Sequence, residues 1–176
     1  MERYIDIWGV AEDHFGIITT KQAEENGVTK QCLVKMAERG TLTRLGRGVY
    51  QVKHHVRGPY DHYAAVIAIV GEKAYLRGAS VLALWELCPT NPSLVYVGSP
   101  MRVRKRLDEG TILRDMRPCD CTEYFGLRCQ RVAEALKAAR DEGMVDGERI
   151  VSAAKEAEAK GLIRRGEPDL MSSLSI

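Results

Sequence analysis

Hydrophobic positions in the first part of the chain recur at helical spacing, and after Gly40 they alternate. Tyr4, Ile7, Trp8 and Ala11 fall on one face of a helix over 4–14, the i, i+3, i+4, i+7 pattern. A short apolar piece, Gly16-Ile17-Ile18-Thr19, follows. Thr19-x-x-Gln22 reads as a capping box opening a helix over 20–25, which Asn26-Gly27 then stops. Thr29 is placed to cap the next helix, with Val28 ahead of it as a hydrophobic staple. The stripe of that helix is Leu33, Met36 and Ala37, which leaves Lys30, Gln31, Val34, Lys35 and Glu38 facing outward. Gly40 ends it. Leu42, Leu45, Val49 and Val52, with Tyr50, then predict two short strands around Leu45-Gly46-Arg47-Gly48, a glycine-tipped hairpin.

Helix, short strand, helix, tight turn, helix and two-stranded ribbon is the order of a winged helix-turn-helix. The loop-like stretch "KHHVRGPY" (53–60) predicts a boundary near residue 58, dividing the chain into domains 1–58 and 59–176. Beyond it the pattern predicts buried helices over 60–70 and 78–87, the second ended by Cys88-Pro89. Strands are expected over 94–97, 101–106, 111–116 and 122–127, and alanine-rich helices over 131–141 and 147–160. The final stretch, "EPDLMSSLSI", is expected to pack loosely or fray. The expected fold class is α+β: an N-terminal winged helix-turn-helix followed by an α+β C-terminal domain.

Composition narrows the picture. Apolar residues make up 45% and charged residues 28% of the 176 positions, which suits a globular chain. The longest apolar run, 64–70, is too short to cross a bilayer, and the acidic start "MERYIDIWGVAED" lacks the form of a secretory signal. A cytoplasmic location and no membrane contact are expected. Cys32, Cys88, Cys119, Cys121 and Cys129 are odd in number and irregularly spaced, so reduced thiols are expected rather than a disulfide framework. Cys119, Cys121 and Cys129 fall short of a four-ligand zinc set. No metal or cofactor is expected.

The net charge of +2 says little until its distribution is considered. Lys30, Lys35, Arg39, Arg44 and Arg47 face only Glu38 within 30–47, whereas the acids gather on the first helix and at Glu24 and Glu25. The second helix of a helix-turn-helix enters the major groove with its N-terminal residues at the base edges. Here those residues are Thr29, Lys30 and Gln31, followed by Val34 and Lys35. Lysine donates to guanine, glutamine pairs with adenine and an exposed valine suits a thymine methyl. Thr20 and Lys21 begin the preceding helix, which crosses the backbone and whose first N–H groups favour a phosphate. Arg44 and Arg47 on the ribbon would reach phosphates or the minor groove. Basic outer faces on amphipathic helices are also common as merely solvated surfaces. The alternative to DNA binding is a winged helix that docks a partner protein.

The segment "HFGIITTKQAEENGVTKQCLVKMAERGTLTRLGRGVYQV" resembles the N-terminal winged helix of the AbiEi family, antitoxins of abortive-infection toxin–antitoxin pairs. The resemblance is carried by the GI-x-TT pattern at 16–20, the GVT turn at 27–29 and ERG-x-L-x-R-x-x-RGVY at 38–50. It implies a DNA-binding autorepressor that recognises inverted repeats in the promoter of its own operon and opposes a toxin of the nucleotidyltransferase type. A stable complex with that toxin is not implied. Relatives often carry arginine where this chain has Gln31 and Val34, which implies an operator of its own. The stretch "YLRGASVLALWEL" (75–87) resembles the family's helix after the linker. A serine–histidine pair is frequent there, but this chain has Arg77-Gly78.

On the strand expected over 101–106, Arg102, Arg104 and Arg106 would share one face and form a candidate second basic patch for DNA or RNA phosphates. Their other reading is a solvated edge strand protected by charge. A nuclease would need carboxylates and a lysine converging at a strand end. Glu158-x-Lys160 has the spacing but lies in a helical pattern, and no nucleotide-binding, zinc-protease or serine-hydrolase motif occurs. No enzymatic activity is expected.

Overall fold

The computed structural model describes residues 2–115 and 117–163, those at 2–6 and 115 by their backbone alone. The chain divides into two compact units, residues 1–72 with 103–107, and residues 73–102 with 108 onward. The final ten residues, expected to fray, lie outside the described residues, as does Met116 at the end of an expected strand.

The first unit runs α1 (Glu2–Glu12), β1 (Ile17–Thr19), α2 (Thr20–Glu25), α3 (Lys30–Glu38), β2 (Leu42–Gly46), β3 (Val49–Val52) and α4 (Asp61–Val70). The strands form an antiparallel sheet in the order β1-β3-β2, with Ile18 opposite Tyr50 and Thr43 opposite Gln51. Ile7 and Ala11 of α1 join Ile18, Ala23, Val28, Leu33, Met36, Leu42, Tyr50 and Val52 in one core, with Trp8 and Ala37 against it. The side chain of Tyr4 lies outside the described residues. The 3.6-residue and 2-residue periods thus converge on a single apolar interior.

The compact unit continues past residue 58. His55 Nε2 donates to Asp61 Oδ2 across 2.8 Å, tying the segment after β3 to the first turn of α4. His55 also lies over Gly16, where a Cβ would come within 2.3 Å of the ring. Gly16 has φ +69, so this position excludes a side chain on both conformational and steric grounds.

The second unit runs β4 (Tyr75–Leu76), α5 (Ala79–Leu84), β5 (Val95–Gly98), β6 (Thr111–Asp115), β7 (Cys121–Tyr124), β8 (Leu127–Gln130), α6 (Val132–Asp141) and α7 (Gly147–Ala159). Its strands form a mixed sheet in the order β6-β5-β4-β8-β7, with β4 parallel to β8 and β5 parallel to β6. Leu136, Ala139, Ile150, Ala153 and Ala157 are buried, and the small alanines let α6 and α7 approach closely. The α+β class holds for the chain as a whole.

Three expectations for this region change. The helix expected over 78–87 ends at Leu84, because Glu86 takes φ +52 and the amides of Glu86 and Leu87 close the helix onto Ala83 and Leu82. The strand expected over 122–127 is a hairpin, since Phe125 and Gly126 both have positive φ and turn the chain. No strand forms over 101–106, so Arg102, Arg104 and Arg106 share no strand face. Alternation there comes instead from a segment whose Val103 and Leu107 are half-buried at 103–107 in the first unit, while Arg102 belongs to the second.

Candidate nucleic-acid interface

The turn between α2 and α3 is fixed from both sides. At the end of α2, Gly27 takes φ +73, its amide donates to Glu24 O at 3.0 Å, and Val28 N donates to Ala23 O at 2.8 Å. This six-to-one and five-to-two pairing satisfies the orphan carbonyls of the last turn and needs the left-handed glycine. At the start of α3, Thr29 stands in an extended conformation and its hydroxyl accepts from Cys32 N at 3.4 Å. Val28, between the two caps, is buried with Ala23 and Leu33. The capping box of α2 forms as expected: Thr19 Oγ1 accepts from Gln22 N, and Gln22 Oε1 accepts from Thr19 N.

With Leu33 and Met36 buried, Lys30, Gln31, Val34, Lys35 and Glu38 of α3 all face solvent. Val34 is 37% exposed. Cys32, on the same helix, is also exposed. Nothing in the helical pattern distinguishes it from a packed thiol. Thr29 uses its hydroxyl lone pair on Cys32 N, which leaves its O–H free to donate outward. Among the described residues no ion pair engages Lys30 or Lys35. The helix therefore presents two lysines and the Gln31 amide to solvent, the lysines with no ion pair to displace among the described residues.

A second closure, at the far end of α3, sets the ribbon. Gly40 has φ +74, Gly40 N donates to Ala37 O and Thr41 N donates to Met36 O, both at 3.0 Å. The chain then enters β2 directly. The hairpin is short: Gly46 pairs with Val49, and Arg47-Gly48 makes the turn. Arg47 is exposed and, among the described residues, unpaired. Arg44 is exposed too, but its Nε donates to Gly46 O at 3.3 Å, holding the guanidinium along the ribbon.

Thr20 and Lys21 are placed differently from the open phosphate site expected of them. Thr20 N donates to Gly48 O at 2.9 Å and its hydroxyl donates to the same carbonyl at 3.3 Å. Gln22 N is taken by the cap. Both of the threonine's donors thus tether the ribbon tip to α2, so Thr20 positions the tip instead of donating to a phosphate. Gly48 is required there, because its φ is +75 and a Cβ would come within 3.0 Å of Thr20 Oγ1. Lys21 Nζ donates to both carboxylate oxygens of Glu72, at 2.8 and 2.7 Å, with Glu25 at 3.9 Å. The bond from Glu72 raises the Lys21 pKa and keeps the ammonium charged. The pair is exposed and a phosphate can compete for it. Glu72 lies 51 positions away in sequence, beyond the reach of any local signal.

Two of the thiols are held away from their ordinary range. Burial pushes Cys129 up to about 11, and burial with the neighbouring Cys121 thiol pushes Cys119 well above the usual cysteine range. Thiols held up in this way stay protonated and are poor nucleophiles at neutral pH. Among the described residues no group of cysteine, histidine and carboxylate side chains is arranged to hold a metal ion. Among them also, no helix is long and apolar enough to cross a membrane.

Two separately capped helices, an outward face of cations with no ion pair among the described residues and a short arginine-tipped ribbon make up a winged helix-turn-helix. No curated protein matches the chain. The family model described as "Transcriptional regulator, AbiEi antitoxin" matches residues 10–53, from the end of α1 through the ribbon, so this segment of the chain is similar to that family.

Proposed function

We propose that the protein represses its own operon by binding duplex DNA in the promoter, at inverted repeats, and that it opposes a toxin of the nucleotidyltransferase type. The observation that carries the DNA half is the α3 face: Lys30, Gln31, Val34 and Lys35 exposed together, with no carboxylate among the described residues engaging either lysine. Burying such cations against phosphates and base edges releases counterions and supplies most of the affinity. Lys30, Gln31 and Val34 choose the bases, and Lys35, Arg44 and Arg47 hold the backbone. Lys21 joins them once a phosphate replaces Glu72. The toxin half rests on the match at 10–53, and the second unit is its proposed seat.

A gel shift with the DNA upstream of the protein's own gene tests the reading. The expected result is a complex that weakens steeply with salt, and Lys30→Ala with Gln31→Ala lowers discrimination against unrelated DNA by about 1–3 kcal/mol per lost base contact. A salt-insensitive complex with the product of the adjacent gene, together with no shift, would overturn DNA binding in favour of protein docking. Co-expression with an adjacent nucleotidyltransferase gene tests the toxin half: growth should be rescued by the full chain.

A further inference from the structure

Residues 103–107 lie in the first unit although the chain around them belongs to the second. Val103 and Leu107 are half-buried, and Arg104, Lys105 and Arg106 between them are exposed. Lys105 Nζ donates to Ile69 O at 2.8 Å. That carbonyl is in the last turn of α4, where the final C=O groups have no helical partner and the dipole favours a cation. One lysine is enough to cap α4. Among the described residues no carboxylate pairs with Arg104 or Arg106, so these two cations have no internal task.

The position of the segment follows from contacts within the same unit. Ile69, whose carbonyl holds Lys105, packs its side chain against Gly46, where a Cβ would come within 3.2 Å of Ile69 Cγ1. Gly46 is next to Arg47 at the ribbon tip, and Gly48 beyond it is tethered to Thr20. Three residues past Ile69, Glu72 holds Lys21. The end of α4 therefore joins the ribbon tip, the start of α2 and the returning basic segment into one edge of the unit.

We propose that Arg104 and Arg106 form a second phosphate-binding edge of the winged helix, taking the backbone of duplex DNA that flanks the bases read by α3. This rests on the DNA-binding reading above. Lys105 positions the segment, and the arginines supply charge without sequence preference, since phosphate contacts are the same at every step of the duplex. The family match ends at residue 53, so this edge is outside the part of the chain it covers.

The test is binding of the full chain to two duplexes, the DNA upstream of its own gene and an unrelated sequence of equal length, followed by fluorescence anisotropy across a salt series. Arg104→Ala with Arg106→Ala should weaken both complexes about tenfold and reduce the slope of log affinity against log salt by about 2, one phosphate contact per arginine. Preference for the operator should not change. Lysine at both positions should restore slope and affinity, because either cation serves a phosphate. Unchanged affinity and slope in the double alanine variant, beside a clear loss in Arg47→Ala, would overturn the second edge and leave DNA binding by the winged helix intact. Absence of salt-sensitive binding by the unaltered protein overturns both readings. A loss confined to single-stranded RNA of the same length overturns the proposal in favour of an RNA-facing segment.

Discussion

Three exposed arginines of the first unit and one buried arginine of the second are used in opposite ways. In the first, Arg47, Arg104 and Arg106 stand in solvent with no ion pair among the described residues. In the second, Arg77 is buried and bound twice to Glu142, Nη1 to Oε2 at 3.0 Å and Nη2 to Oε1 at 2.6 Å. The amide of the next residue, Gly78, donates to the buried side chain of Gln130 at 3.0 Å. A guanidinium taken out of water needs a fork of acceptors to offset its desolvation, and once so held it offers no charge to an outside anion. Arg77 is therefore architecture, whereas the exposed arginines keep their charge available to an outside anion, as the proposed DNA binding requires. The position that resembles the family's serine–histidine site thus carries a structural ion pair in this chain.

The largest effect that can break this comparison is at Arg77. Arg77→Ala takes both short bonds from Glu142 and leaves it only Arg114 Nε at 4.0 Å; the carboxylate side chain is 34% exposed, so water relieves part of the penalty. The expected loss is about 3 kcal/mol, the low end for breaking a buried pair. Denaturant unfolding followed at Trp85, in the second unit, should show it. A loss below about 1 kcal/mol would mean that the pair is no more structural than a surface bridge.

The next largest effect concerns the frame that presents the exposed cations. Gly40→Ala meets little but the flexible end of Lys53, 3.6 Å away, so its penalty is conformational. An alanine held at φ +74 costs about 1 kcal/mol. Because α3 is buried along Leu33 and Met36, that strain should appear as a lower melting temperature with DNA affinity unchanged below the transition. A large loss of affinity at full folding would show instead that the joint between α3 and the ribbon is part of the recognition surface.

How far the sequence foretells these features depends on the range of the interaction. The two caps and the left-handed glycines Gly27 and Gly40 are set by residues within six positions of one another, and the ribbon by residues within ten, so Thr19-x-x-Gln22, Gly27-Val28-Thr29 and Gly40 reveal them directly. The same holds for Lys30, Gln31, Val34, Lys35 and Glu38 of α3, which period places outward, but not for Cys32, whose exposure the pattern leaves open. Four features come from elsewhere in the chain: Glu72 on Lys21, Ile69 on Gly46, Lys105 on Ile69 and Thr20 on Gly48. None has a local pattern. The alternation of Arg102, Arg104 and Arg106 suggested a strand because period 2 marks any chain with two unlike sides. Here those sides are the surface of the first unit and the solvent, with no neighbouring strand to pair. Glu86 and Phe125 show the converse failure, as non-glycine residues in left-handed turns that propensity does not anticipate.

The smallest expected effect separates an occupied cation from a free one within the first unit itself. Lys21 stands at the start of α2 among the proposed DNA contacts, yet Glu72 already holds it. Binding a phosphate there requires breaking an exposed pair, which weakens the gain without abolishing it. Glu72→Gln removes the competing charge and should raise affinity for any duplex by about two- to threefold at low salt, with the gain shrinking as salt screens the pair. Lys21→Ala should lower affinity less than Arg47→Ala does, because Arg47 has no ion pair to leave among the described residues. In the Lys21→Ala background, Glu72→Gln should lose most of its effect. If it keeps the full gain, Glu72 acts by general repulsion of the DNA and the contact with Lys21 is incidental. If Glu72→Gln leaves affinity unchanged in both backgrounds, Lys21 lies off the DNA path and the interface narrows to α3, the ribbon tip and the returning segment.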